Sequence, residues 1–203
     1  ENKKKMPILN RQFLEKNYNR DELNKLTELC LGWRDIKSID AAAFGVLESL
    51  SILNLCKNRL NSPLDASLFS NCPNIERINL SFNDLGRIHP STFKGLKRLK
   101  SIELCTTKLN SLDVHTFDGL ESLETIMLNN NSLASVEVKL FADLSNLTQL
   151  NLSGNKLTTI NTAVFGGLKN LVKLDLNSNQ INSMEVGVFR DLESLDELDL
   201  SFN

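Results

Sequence analysis

Residues 150–170 read LNLSGNKLTTINTAVFGGLKN. Apolar residues fall at Leu150, Leu152, Leu157, Ile160, Phe165 and Leu168, with Asn155 alone among them. That spacing fits neither the 3.6-residue period of an amphipathic helix nor the two-residue period of a half-buried strand. It acquires meaning because it recurs. The same opening appears as LTELCL at Leu26, LSILNL at Leu50, IERINL at Ile75, LKSIEL at Leu99, LETIML at Leu123, LTQLNL at Leu147, LVKLDL at Leu171 and LDELDL at Leu195. The starts are 24, 25, 24, 24, 24, 24 and 24 residues apart. A fixed period of this size marks a chain built from stacked coils.

Later landmarks keep the same phase. An apolar residue holds the eleventh place at Ile36, Leu60, Leu85, Leu109, Leu133, Leu157 and Ile181. A phenylalanine closes each full unit: Phe44, Phe69, Phe93, Phe117, Phe141, Phe165 and Phe189. Asparagine takes the ninth place at Asn58, Asn83, Asn131, Asn155, Asn179 and Asn203, while Arg34 and Thr107 depart from it. In each L-x-L the leucines point inward and the residue between them outward, as a short strand requires. Eight such strands at about 4.8 Å spacing make a parallel sheet roughly 35 Å across. Where the chain bends out of the strand, backbone groups inside the coil lose ladder partners. A buried amide side chain offers them both a donor and an acceptor. An asparagine ladder between coils is therefore expected, weaker or locally replaced at Arg34 and Thr107.

The pattern L-x-x-L-x-L-x-x-N-x-L with a downstream Phe is identified as the leucine-rich repeat over residues 26–203. It is similar to the extracellular animal type found in Toll-like receptor ectodomains and in secreted innate-immunity proteins. That resemblance implies a horseshoe-type solenoid, with a parallel sheet on the concave face and loops, 3₁₀ turns or short helices on the convex face. Repeats begin at residues 26, 50, 75, 99, 123, 147 and 171, with a truncated one at 195. Residues 1–25 read as a partial or degenerate repeat with an insertion, Ile8 and Phe13 matching Ile39 and Phe44. The alternative is a helical cap over residues 13–26. With a bare strand signature at one end and this partial unit at the other, both ends read as internal to a longer solenoid.

Composition narrows the function. Twenty-three basic and 25 acidic residues nearly cancel, which argues against a polyanion-binding surface and makes nucleic acid an unexpected partner. The longest apolar run, residues 41–47, is too short to span a bilayer, which takes about 20 residues. The basic start ENKKKMPILNRQ lacks the apolar core of a secretory signal. This segment therefore neither spans a membrane nor is expected to contact one. No spacing of histidines or cysteines provides a zinc site. No phosphate-cradling glycine loop or nucleophile motif is present. Neither catalytic residues nor a cofactor are expected. His89 and His115 read as surface residues of convex loops. Cys30, Cys56, Cys72 and Cys105 read as free or buried thiols, since Cys30 and Cys56 lie two residues out of register on neighbouring strands.

The resemblance makes the concave face the expected ligand surface. In chain order its outward residues include Glu28, Trp33, Lys57, Glu76, Arg77, Phe82, Lys100, Glu103, Met127, Asn129, Gln149, Lys173, Asp175, Asp196, Glu197, Asp199 and Phe202. The ligand-binding set expected from them is Trp33, Glu76, Arg77, Phe82, Glu103, Met127, Gln149, Lys173, Asp175, Asp196, Asp199 and Phe202. Exposed aromatics such as Trp33, Phe82 and Phe202 suit binding anchors, and the acidic last strand suits a basic partner. Sequons stand at Asn79, Asn130, Asn146 and Asn151. The repeat itself generates LNLS at Asn79 and Asn151, so Asn146 is the preferred glycan acceptor. The expected role is recognition of a protein or microbial ligand at the cell surface or outside the cell, with dimerisation of the parent receptor as a further expectation. An adhesion or matrix scaffold of the same fold is the alternative, followed by the regulatory repeat domain of a larger intracellular protein.

Overall fold

The computed structural model describes residues 7–40, 42–45, 47–61, 63–66 and 68–203. Eight short strands form one parallel sheet: β2 (Glu28–Cys30), β4 (Ile52–Asn54), β5 (Arg77–Asn79), β6 (Ser101–Glu103), β7 (Thr125–Met127), β8 (Gln149–Asn151), β10 (Lys173–Asp175) and β12 (Glu197–Asp199). Each pairs only with the strands of the coils before and after it, in unbroken register: Leu53 faces Ile78, Ile102 faces Ile126, and Leu150 faces Leu174. The register follows from the sequence. Only this phase stacks every central L-x-L residue on its equivalent, and a one-residue slip would turn each of them out to solvent.

On the far side of each coil the chain returns through a series of tight turns. Leu168 N–H bonds to the Phe165 carbonyl and Leu171 N–H to that of Leu168, single turns of 3₁₀ type. Two further strand pairs run there: β1 (Ile8–Leu9) with β3 (Ser38–Ile39), and β9 (Thr159–Ile160) with β11 (Ser183–Met184). Among the described residues the repeats themselves contain no helix, so of the expected convex elements it is the turns that form.

Between sheet and turns lies one continuous core. In the coil quoted above, Leu150, Leu152, Leu157, Ile160, Phe165 and Leu168 are all buried. The phenylalanines stack along the convex side, with ring centroids 6.1 Å apart for Phe69 and Phe93 and for Phe117 and Phe141. Asn155 acts as expected. Its Nδ2 donates to the carbonyls of Leu128 and Leu152, and its Oδ1 accepts from Leu133 N–H. Asn58, Asn83, Asn131, Asn179 and Asn203 repeat the arrangement. At Thr107 the ladder changes form. The hydroxyl bonds within its own coil to the Leu104 carbonyl, and the backbone carbonyl of Thr107, in place of a side-chain oxygen, accepts from Leu85 N–H.

The start of the chain differs from the sequence expectation by one residue. Strand β1 pairs Leu9, not Ile8, with Ile39. Leu14 then occupies the place that Phe44 holds, fully buried, while Phe13 is only partly covered. Two short helices follow β1, α1 (Arg11–Asn17) and α2 (Arg20–Leu23). Asn10 caps the first by accepting from Phe13 N–H, and Asn19 with Glu22 forms a reciprocal capping box on the second, the arrangement expected of S/T/N-x-x-E starts. Leu14 and Leu23 turn into the core from these helices. Among the described residues no helix is long and apolar enough to cross a membrane.

Candidate functional site

An all-parallel sheet is ordinarily covered on both faces. Here one face packs on the core and nothing among the described residues covers the other. Its outward residues fall into rows running across the strands, since equivalent places in successive coils lie side by side. The first row carries Glu76 and Lys100, paired at 2.9 Å, with Arg98 also reaching Glu76 at 3.5 Å. The hydrogen bond and charge of Lys100 hold the Glu76 carboxyl below its ordinary range. The neighbouring row carries Arg77, Gln149, and Lys173 paired with Glu197 at 2.6 Å.

The next row runs Cys30, Asn54, Asn79, Glu103, Met127, Asn151, Asp175 and Asp199. Its Asn and Asp residues share a local task. Asn79 Oδ1 accepts from Ser81 N–H, Asn151 Oδ1 from Ser153 N–H, and Asp199 Oδ1 from Ser201 N–H. Each ends its strand by satisfying a backbone donor two residues on, as Asx turns do. The Ser201 hydroxyl and N–H hold the Asp199 carboxyl below its usual range. The amides also bind across coils: Asn79 Nδ2 donates to Glu103 at 2.6 Å and Asn151 Nδ2 to Asp175 at 3.0 Å. Gln149, Lys173, Asp175, Asp196 and Asp199 line one shallow acidic dish at the last three strands.

Trp33, Phe82 and Phe202 do not sit on the strands, contrary to the sequence expectation. They stand at the rim, on the turn that follows each strand. At this eighth place of every coil the backbone is left-handed: φ is +59° at Trp33, +53° at Lys57, +59° at Phe82, +54° at Thr106, +57° at Asn130, +63° at Gly154, +53° at Ser178 and +56° at Phe202. Bulky residues are rare in that conformation. Even so, Trp33 is 74% exposed, Phe82 49% and Phe202 85%. Lys57, which sequence reasoning placed on the face but not in the binding set, lies between two of the rings. Its ammonium is 4.5 Å from the Trp33 ring centroid and 5.2 Å from that of Phe82. The signal was present in the alignment as Trp, Lys and Phe at one place in three successive repeats.

The structure also separates the sequons. Asn79 and Asn151 spend their amides on carboxylates, and Asn146 Nδ2 donates to the Glu121 carbonyl at 2.8 Å. Asn74 and Asn170 make the equivalent bond in other coils, so Asn146 belongs to a second inter-coil bracket that the sequon pattern concealed. Asn130 is exposed at the rim, with its side chain lying across Gly154.

All four cysteines are free. Burial pushes the Cys72 thiol up to about 11. Cys30 is exposed, and its thiol, raised first by partial burial and then by Glu28, donates to that carboxylate. Exposed His115 bonds to Asp118 on the convex side, and His89 is likewise exposed. Among the described residues no group of three or more His, Cys, Asp or Glu converges to hold a metal ion.

Comparison with known proteins agrees with this architecture. The leucine rich repeat family model matches residues 24–85, 73–133, 97–157, 121–181 and 152–203. A stretch of 74 residues, 36% of the chain, is 32% identical to Toll-like receptor 5 of Homo sapiens and spans 9% of that protein. Among solved structures, the receptor in a TLR13–ssRNA13 complex superposes with a TM-score of 0.82 at 27% identity, over 88% of this chain and 25% of that one. A chain of the octameric Latrophilin 3, Unc5D and FLRT2 complex gives 0.77 at 27% identity, over 87% of this chain and 54% of that one. A chain of the Toll–Spätzle complex of Drosophila shares the fold, with a TM-score of 0.76 at 22% identity, over 95% of this chain and 28% of that one. The chain thus spans about a quarter of the Toll-type chains and about half of the third. It belongs to the leucine-rich repeat family and resembles Toll-like receptor ectodomains.

Proposed function

We propose that this chain is a recognition module of an extracellular or cell-surface protein of the Toll-like kind, binding a protein or microbial ligand on its concave face. The observation behind this reading is the bare face of the eight-stranded sheet. A parallel sheet stable with one side open to water has outward residues suited to solvent or to a partner. The candidate contacts are Glu76, Arg77, Glu103, Met127, Gln149, Lys173, Asp175, Asp196 and Asp199 on the sheet and Trp33, Phe82 and Phe202 on its rim. Proteins rather than nucleic acids suit this face, because its Lys and Arg residues alternate with carboxylates, two of which they already pair with. The module acts by binding, without a cofactor, a catalytic site or a membrane contact of its own. The likeness to a chain of the FLRT2-containing complex favours adhesion as the second reading.

Site-specific photo-crosslinking distinguishes the faces. Crosslinkers at Gln149 and Met127 report on the concave side, and at Lys94 and Lys139 on the convex side. The proposal expects a secreted or cell-surface protein, or a microbial product, attached at the first pair alone. Adducts confined to the convex pair, or to cytosolic proteins, overturn it. Secretion also implies glycans, placed at Asn130 or Asn146, whose side chains lie off the strands. Peptide mapping that finds sugar on Asn79 or Asn151 instead would contradict an open concave face.

A further inference from the structure

Eight residues share the left-handed rim place, and the choice made at three successive coils is unusual. Glycine is the least strained occupant of such a place, with asparagine next, because a Cβ there crowds the following carbonyl oxygen. Gly154 and Asn130 follow that rule, and Thr106 and Ser178 are small. Phe202 does not follow it, and neither do Trp33, Lys57 and Phe82 in three successive coils. Each pays backbone strain without gaining burial, since all three are exposed. The compensation within the folded chain is the weak attraction of the two rings for the Lys57 ammonium, and strain of this kind gathers at functional sites.

The arrangement has a chemical direction. Lys57 lies against both ring faces, which restrains a long flexible side chain without neutralising its charge. The neighbouring carboxylates are occupied elsewhere: Asp35 by Arg59, Glu76 by Lys100 and Arg98, and Asp84 by Lys108. Among the described residues no carboxylate lies within ion-pair distance of the Lys57 ammonium. The result is a pre-positioned cation, open to solvent and flanked on both sides by apolar surface.

Resting on the recognition role proposed above, we propose that Trp33, Lys57 and Phe82 form a docking ridge for an acidic segment of a protein partner. One carboxylate of that segment meets the Lys57 ammonium, and the apolar side chains beside it lie on the Trp33 and Phe82 rings. The geometry favours a protein over a single-stranded nucleic acid, although stacking rings beside a cation also suit bases and phosphates. A polyphosphate backbone needs a track of cations, whereas the Trp33 and Phe82 rings hold the single ammonium of Lys57. A single acidic loop needs one.

Trp33 is the sole tryptophan of the chain, so its fluorescence reads the ridge directly. The probes are a blocked peptide alternating Glu and Leu, its Lys and Leu counterpart, and an oligouridylate. The proposal expects a saturable change in Trp33 emission with the acidic peptide alone, weakening as salt rises. It expects Lys57→Met, which keeps the apolar stem, to weaken that binding at least tenfold, and Phe82→Leu to weaken it less. Far-ultraviolet circular dichroism checks that both variants fold. No response to the acidic peptide, an equal response to the basic one, a response to oligouridylate instead, or unchanged binding by Lys57→Met each overturns the ridge. Loss of the ridge with concave crosslinks retained leaves the recognition role standing. A responsive ridge without concave crosslinks removes the role and keeps the site.

Discussion

Replacing Asn155 by alanine isolates what the buried amide ladder contributes. The substitution removes the Nδ2 bonds to the Leu128 and Leu152 carbonyls, at 3.0 and 2.9 Å, and the acceptor that Leu133 N–H reaches at 3.1 Å. The two carbonyls keep a second donor each, from Asn131 and Asn179. Among the described residues Leu133 N–H has no other partner, and with Asn155 only 6% exposed no water replaces it readily. An orphaned buried donor costs about 1–3 kcal/mol and each lost carbonyl bond about 0.5–1.5, so the expected total is about 2–6 kcal/mol. Asn203 supplies the control. It makes the same set of bonds, to the Leu176 and Leu200 carbonyls and from Ile181 N–H, but it is exposed. Water substitutes there, and Asn203→Ala should cost under about 1 kcal/mol. Urea unfolding gives the two free energies. Because a repeat array can open in parts, hydrogen exchange at the Leu133 amide is the site-specific readout. The reasoning fails if Asn155→Ala costs no more than Asn203→Ala, or if the Leu133 amide keeps its protection.

Four further outcomes follow from the same geometry. Phe141→Ala, which removes a fully buried ring stacked on Phe117, should cost about 3–5 kcal/mol by urea unfolding; a loss below 1 kcal/mol would mean the phenylalanine column is dispensable. Gly154→Ala puts a Cβ 2.4 Å from Asn130 Oδ1 at φ +63°, so it should cost about 1–2 kcal/mol. Part of that cost should disappear in an Asn130→Ala background, and additive losses would show that the two residues do not meet. Alkylation followed by mass spectrometry should label exposed Cys30 first and buried Cys72, its thiol pushed up to about 11, only after unfolding. Glu76→Gln should lower stability at neutral pH and in low salt, where the Lys100-paired carboxylate is charged. The difference from the parent should vanish as pH falls below the ordinary carboxylate range, because protonation then removes the same pair; a difference that persists in acid contradicts the assignment.

The repeat phase was legible because every coil solves one packing problem with the same residues. Leu147, Leu150, Leu152 and Phe165 must all face inward, and no other register allows it. The first turns of the chain were less legible for a specific reason. Phenylalanine served as the landmark, yet Leu14 fills the place of Phe44 and leaves Phe13 half outside, so the sequence reading fell one residue short of Leu9. The rim was harder still. A left-handed backbone is usually announced by glycine, but only Gly154 announces it among the eight equivalent residues. Trp33 and Phe82 were recognised as exposed aromatics, while their place off the strand and their contact with Lys57 depend on a turn that residue type did not signal. The sequon at Asn146 was legible, whereas its bond to the Glu121 carbonyl was not, because that carbonyl lies a full coil away.

The outward rows explain how a parallel sheet tolerates water on one side, and where a partner gains most by binding. Across the strands, Glu76 meets Lys100, Asn79 meets Glu103, Asn151 meets Asp175, and Lys173 meets Glu197. Each pair lies 24 residues apart in sequence, one coil to the next, so the period that builds the core also matches polar groups on the surface. These groups are already engaged, and a ligand touching them exchanges one partner for another. Exposed pairs of this kind contribute only about 0–1 kcal/mol each, which makes them adaptable and poorly discriminating. Trp33, Lys57 and Phe82 break the pattern, because the cation there faces rings and, among the described residues, has no carboxylate in ion-pair reach. A carboxylate arriving at Lys57 displaces no protein partner. At the proposed ridge, where the pairing is left open, an arriving carboxylate gains a partner that these matched rows do not offer.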